Sequence, residues 1–142
     1  MIVYLDASAV VPLLVAGPAS DFCRQLWDQG DAVTTSRLTY VETAAALAHA
    51  ERAGRVTADE HRAVREALER LWAEFDVIEV DGKVISRAAA LAGDFALGAY
   101  AAVHCASAEQ LDDNDLVAAT VDGKLLDAWR KLGLSTADAI ER

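Results

Sequence analysis

The sequence predicts an α/β fold, an α/β/α sandwich with a central parallel sheet of four or five strands and a protruding helical hairpin. Three observations carry this. Short, mostly apolar runs at 2–5, 32–36, 77–80 and 116–121 are too short for helices and read as buried strands. Between them lie stretches whose apolar residues recur every three or four positions, as in helices that cover a sheet. No linker, repeat or low-complexity segment interrupts the 142 residues, so 1–142 reads as a single domain.

The first strand, 2–5, runs directly into Asp6, with Ser8 close behind it. Residues 9–15 form a short apolar segment that Gly17 and Pro18 end, and Pro18 and Ala19 open a helix to about residue 29 with Phe22, Cys23 and Leu26 inward. After the second strand, 32–36, a helix spans 38–53, with Leu38, Val41, Ala45 and Ala48 spaced as an inward face and Gly54 as its stop. Thr57 and Glu60 form a capping box at the head of a helix over 57–75, with Val64, Leu68, Leu71, Trp72 and Phe75 as its apolar stripe. These two helices make an antiparallel hairpin with a very short joint. Asp81 and Gly82 follow the third strand and start a helix over 83–95, which Gly98 separates from another over 99–110. The fourth strand ends at Asp122, and Asp122-Gly123 turns into a helix over 124–132 that Gly133 closes. The tail, 135–142, has room for a short edge strand.

Composition narrows the function classes. The chain is 54% hydrophobic with two prolines, the profile of a compact fold rather than a disordered one. Thirteen basic against 23 acidic residues give a net charge of −10, opposite to the broad basic footprint of most nucleic-acid binders. That charge suits a basic protein partner, or carboxylates that hold cations. Cys23 and Cys105 are too few for a disulfide framework or a zinc site, and Cys105 reads as a core residue. The first strand leaves no room for a leader, and no apolar run reaches the ~18 residues of a membrane span, so a cytoplasmic protein is expected.

Asp6 and Asp122 each end a strand, the place where open α/β sheets bind ligands. Thr120, two residues before Asp122, points to the same side of its strand. Glu42 lies in the first turns of the helix after the second strand. Carboxylates gathered this way repel one another, and a hard cation such as Mg²⁺ removes that cost. Such a site suits phosphodiester hydrolysis by metal-activated water. Each residue also has a purely structural reading. Asp6 is a good helix N-cap, Thr39 to Glu42 matches a capping box, Asp122-Gly123 is a turn, and Thr120 is an ordinary β-branched strand residue. His104, in an otherwise apolar helix, reads as a packed histidine rather than a ligand. Trp27, Trp72 and Trp129 are isolated and offer no base-stacking platform. Arg37, Lys124 and Arg130 are expected near the carboxyl edge, as phosphate contacts or as plain surface charge.

The order of these features resembles the PIN-domain nucleases, and within them the VapC-type toxins of toxin–antitoxin pairs. The matching pieces are Val3-Tyr4-Leu5-Asp6-Ala7-Ser8-Ala9-Val10, the Glu42 helix entered from Ser36-Arg37-Leu38, the segment from Ala99 through Ala108, Thr120-Val121-Asp122, and Gly133-Leu134. The likeness spans nearly the whole chain; each motif is short, and their order and spacing carry the specificity. It implies a PIN-like fold, an Mg²⁺- or Mn²⁺-dependent endoribonuclease acting on RNA, a homodimer, and a small VapB-type antitoxin partner. Carried over, Asp6, Glu42 and Asp122 hold the metal, with Thr120 or Ser8 in support. One departure matters. The family usually reads Tyr-Asp-Ala-Val-His where this chain has Tyr100-Ala101-Ala102-Val103-His104. Ala101 thus stands where an acidic residue is expected, with every neighbour matching, as in a point substitution that silences a toxic nuclease. Weak metal binding and little or no cleavage are expected of this copy.

Other classes fit less well. A receiver domain of a signalling pair also has acids at strand ends, but this chain lacks an acid pair after the first strand and offers only Asp81 as phospho-acceptor. A haloacid-type phosphatase would need a second Asp after Asp6, where Ala7 and Ser8 stand. A non-catalytic protein-binding module on the same fold is the remaining alternative, and Ala101 favours it.

Overall fold

A computed structural model describes residues 1–140. Its centre is a five-stranded parallel sheet of β1 (Ile2–Leu5), β2 (Ala32–Ser36), β3 (Asp76–Ile78), β4 (Leu116–Thr120) and β5 (Ser135–Asp138), in the order β3-β2-β1-β4-β5. Val3 lies opposite Val33 on one side and Val117 on the other, so β1 is paired along both edges. The chain builds outward from β1 to β3 and then crosses back to lay β4 on the other side of β1. That reversal opens a crevice beyond the carboxyl ends of β1 and β4, the usual ligand position in such sheets. Asp6 follows the end of β1 directly, and Asp122 follows the end of β4 by two residues.

The helices are α1 (Ala7–Leu14), α2 (Ser20–Gln29), α3 (Leu38–Arg52), α4 (Ala58–Trp72), α5 (Gly82–Phe95), α6 (Ala99–Glu109) and α7 (Gly123–Lys131). Alternation along β1 divides the interior. Tyr4, with Leu116 and Ala118, packs on one face against residues of α5, α6 and α7, among them Leu91, Cys105 and Trp129. Val3 and Leu5 pack on the other face with Val10, Cys23, Leu26 and Phe75. The segment expected only as an apolar run after Asp6 is helix α1, with Pro12 inside it.

Several boundaries and faces differ from expectation. β3 begins at Asp76 and ends at Ile78, where its partner β2 also ends at Ser36; Glu79 beyond it pairs with Arg37. α4 stops at Trp72 rather than 75. The tail does hold an edge strand, β5, parallel to β4; residues 141 and 142 of that predicted stretch lie outside the described residues. α3 has the expected period but a different phase: it buries Thr39, Thr43 and Leu47, while Val41 is 58% exposed and Ala45 also faces out. A specific polar contact sets that phase: Thr35 Oγ1 on the neighbouring strand gives its one hydrogen to the Leu5 carbonyl at 2.6 Å and so accepts from Thr39 Oγ1 at 2.7 Å. The same contact removes Thr39 from any capping box with Glu42, and α3 has no side-chain cap. The box at Thr57 and Glu60 is formed in both halves. Among the described residues no single helix is long and apolar enough to cross a membrane.

α4 is tied to the body through one fully buried side chain, Leu68. Leu68→Ala is expected to cost about 2–5 kcal/mol, through lost burial plus the cavity left behind. Glu66→Ala, on the exposed face of the same helix, should stay within about 0.5 kcal/mol. Urea unfolding of both variants checks the difference.

Candidate active site

Asp6 is the anchor of the crevice. It is only 6% exposed, and it caps α1 by accepting from the Ala9 amide at 3.1 Å. The same oxygen, Oδ1, accepts from Ser8 Oγ at 2.6 Å, and Oδ2 accepts from Thr120 Oγ1 at 2.7 Å. Both hydroxyls also accept: Ser8 Oγ from the Val121 amide at 2.9 Å, and Thr120 Oγ1 from the Asp122 amide at 3.0 Å. A hydroxyl has one hydrogen, and in each case Asp6 takes it. The 3.2 Å approach of Ser8 Oγ to Thr120 Oγ1 is therefore a contact between two acceptors. Burial raises the Asp6 carboxyl above its ordinary value, opposed by the hydrogen bonds from Ser8, Thr120 and Ala9. The N-cap reading of Asp6 is thus correct.

Asp122 caps α7, its Oδ1 accepting from the Lys124 amide at 3.0 Å and the Leu125 amide at 3.4 Å. Glu42 is used differently. Its Oε1 lies 2.6 Å from His104 Nε2, and His104 Nδ1 lies 2.7 Å from Tyr4 Oη. Tyr4 and His104 are buried, and burial, with Asp6 adding to it, raises the phenol well above its usual range. The phenol accordingly keeps its proton. The donor order that satisfies all three groups is Tyr4 Oη–H to Nδ1, then Nε2–H to the Glu42 carboxylate. His104 is the packed histidine expected, and it also bridges into the site.

Ala101 lies in the first turn of α6, which contains no acidic residue, and is three residues before His104. Residues three apart share a helix face, so an acid at 101 would stand one turn from the ring that holds Glu42. The methyl group instead packs against the core.

Among the described residues no three His, Cys, Asp or Glu side chains gather closely enough to form a ready metal cage. The expected set, Asp6, Glu42 and Asp122, is engaged separately: with Ser8 and Thr120, with His104, and with the start of α7. Each keeps an oxygen with spare capacity, since Glu42 Oε2 and Asp122 Oδ2 accept nothing among the described residues and Asp6 Oδ2 accepts once. These are hard oxygen donors that suit a hydrated Mg²⁺, which needs only one or two carboxylates. The donor chemistry fits; the set is sparse.

The cations divide. Arg37 is paired with Glu79. Arg130 is not at the carboxyl edge as expected: it lies in the last turn of α7, which starts at that edge and runs back, and its Nε donates to Thr136 Oγ1 at 3.1 Å. Lys124, in the first turn of α7, is exposed and has no ion-pair partner among the described residues. The tryptophans are packed in edge contacts, Trp27 with Phe75, Trp72 with Tyr40 and Trp129 with Tyr4. A groove of about 540 Å³ lined by Arg37, Leu38, Tyr40, Val41, Trp72 and Val80 opens beside the hairpin. Sequence reasoning missed Tyr4; its one signal was an aromatic hydroxyl two residues before Asp6 in an otherwise aliphatic strand.

The PIN domain family profile matches residues 3–131. Ribonuclease VapC45 of Mycobacterium tuberculosis is 38% identical over 138 residues, covering 97% of this chain and 96% of that protein. Among solved structures, FitAcB from Neisseria gonorrhoeae superposes with a TM-score of 0.74 at 19% identity over the full length of both chains. A toxin–antitoxin complex from Klebsiella pneumoniae gives 0.66 at 16% identity over 99% of each.

The raised Asp6 pKa has a direct consequence for stability. A carboxyl whose folded pKa exceeds its unfolded one contributes stability that is full at low pH and lost as pH rises through the folded value. Asparagine cannot ionise, so Asp6→Asn is expected to gain in stability relative to the parent at neutral pH. The advantage should fade as pH falls through the Asp6 range. Urea melts at neutral and acidic pH measure it.

Proposed function

This chain belongs to the PIN-domain family and, within it, to the VapC-type ribonucleases, and on that premise we propose that its crevice is the site of a metal-dependent endoribonuclease that Ala101 has impaired. The observation that carries the proposal is the meeting of Asp6, Thr120 and Asp122 at the sheet's switch point, with Glu42 tethered by His104 and a methyl group one turn from that ring. Asp6 Oδ2, Glu42 Oε2 and Asp122 Oδ2 are the oxygens that would hold Mg²⁺ or Mn²⁺. When bound, such an ion supplies a water nucleophile at neutral pH and offsets charge on the phosphate.

The chain's own residues prepare that step. Ser8 and Thr120 hold the Asp6 carboxylate in one orientation, so a cation meets a fixed oxygen instead of a rotating one. Lys124, exposed at the start of α7 beside Asp122, is placed to meet an RNA phosphate. Ala101 offers no donor, so a bound cation would have fewer carboxylates to hold it.

The same reading makes the chain the toxin of a VapBC-type pair acting in the cytoplasm, with a small VapB-type antitoxin as partner. A net charge of −10 favours a basic antitoxin segment, and the apolar groove at Tyr40, Val41 and Trp72 gives its side chains a place to dock. Val41, Ile85 and Tyr100 are large apolar side chains left exposed, in keeping with a homodimer. Ala101 also favours a second reading, in which this copy keeps the fold and the protein partner without cleavage. The receiver reading is set aside by the family, and Asp81, its candidate acceptor, is the N-cap of α5.

The test is a paired assay of this chain and Ala101→Asp on structured RNAs with Mn²⁺ or with chelator. Restoring the acid is expected to raise cleavage at least about a hundredfold, the equivalent of ~2.7 kcal/mol of barrier, and chelator should abolish it. Equal cleavage by the two forms contradicts the proposed role of position 101. Loss of cleavage from both supports the binding-module reading.

A further inference from the structure

Glu42 is a long side chain near the start of a helix with no side-chain cap, and nothing on α3 itself fixes its carboxylate. Two residues from other elements do. Tyr4 reaches His104 from β1, and His104 reaches Glu42 from α6, through contacts of 2.7 and 2.6 Å. The imidazole is buried at 2% exposure and the phenol at 0%, while the Glu42 side chain keeps 21% of its surface. A buried, doubly bonded ring thus grips one oxygen of a partly exposed carboxylate. The other oxygen, Oε2, remains for the crevice.

Resting on the metal-site reading above, we infer that His104 is a positioning residue: held by Tyr4, it fixes Glu42 by Oε1 and presents Oε2 alone as a donor to a divalent cation. The role follows from where each ring nitrogen points. Nδ1 faces Tyr4 and Nε2 faces Glu42. A carboxylate fixed in this way loses less rotamer freedom when it binds an ion than a free one does. Hydrogen-bonding partners behind metal ligands commonly change affinity by about 10–100-fold. In this chain the restraint carries more weight, because position 101 supplies no carboxylate.

The two nitrogens can be replaced separately. Asparagine at 104 reaches roughly as far as Nδ1 and keeps a partner for Tyr4, but falls short of Glu42. Glutamine reaches as far as Nε2 and keeps an N–H for Glu42. The probe is Mn²⁺, titrated by electron paramagnetic resonance into Ala101→Asp alone and combined with His104→Asn or His104→Gln. The expected result is a loss of affinity of about tenfold or more for His104→Asn, with His104→Gln staying within about threefold. A histidine that only fills space would not sort the two amides in that order. Equal affinities across the three forms overturn the inference and leave the metal reading standing. No Mn²⁺ binding by Ala101→Asp overturns both. A second readout needs no metal: ¹⁵N correlation spectra of the parent chain should show the His104 proton on Nε2. A ring carrying its only proton on Nδ1 overturns the inference by itself.

Discussion

A carboxylate held out of water at the end of β1 is the constraint around which this protein is built. Asp6 is nearly buried, and ionising it there is costly unless donors meet it. Those donors come from different places: Ser8 and the Ala9 amide from the first turn of α1, Thr120 from the end of β4. Meeting the cost therefore fixes β4 beside β1 at a defined register, since a slip of one residue would turn Thr120 away. The strand order and the site are two results of one requirement.

The second acid is held by different means. Glu42 depends on α6, the helix that contributes His104 and also contains position 101. One element thus supplies both the restraint on Glu42 and the place of the expected acid. Replacing that acid by alanine leaves the restraint intact, because the Tyr4–His104–Glu42 chain makes no use of residue 101. The fold tolerates the loss readily, since the methyl packs against the core. With alanine at 101 the chain has a complete sheet-and-helix architecture, an acidic composition and an apolar groove.

Much of this was legible in the sequence because strand ends are legible. Asp6, Thr120 and Asp122 each follow a short apolar run, and position alone aimed them at one edge. Glu42 was legible as a candidate but not in its contacts, since Thr39 three residues earlier imitates a cap while its hydroxyl in fact bonds Thr35. The phase of α3 was misread for the same reason: two threonines, not the more apolar Val41, face inward. Arg130 was expected at the wrong end because the direction of α7 along the sheet is a property of the fold rather than of local pattern. Tyr4 and His104 are 100 residues apart, and only the packing of α6 on β1 brings them together.

A crystal structure of the Ala101→Asp variant grown with Mn²⁺, with the ion located by its anomalous scattering, tests the central claim most directly. The account predicts an ion in the crevice bound by Asp6, the restored carboxylate at 101 and Glu42 Oε2, with Oε1 still on His104. An ion bound away from Asp6 and position 101, or none at a saturating concentration, would contradict it.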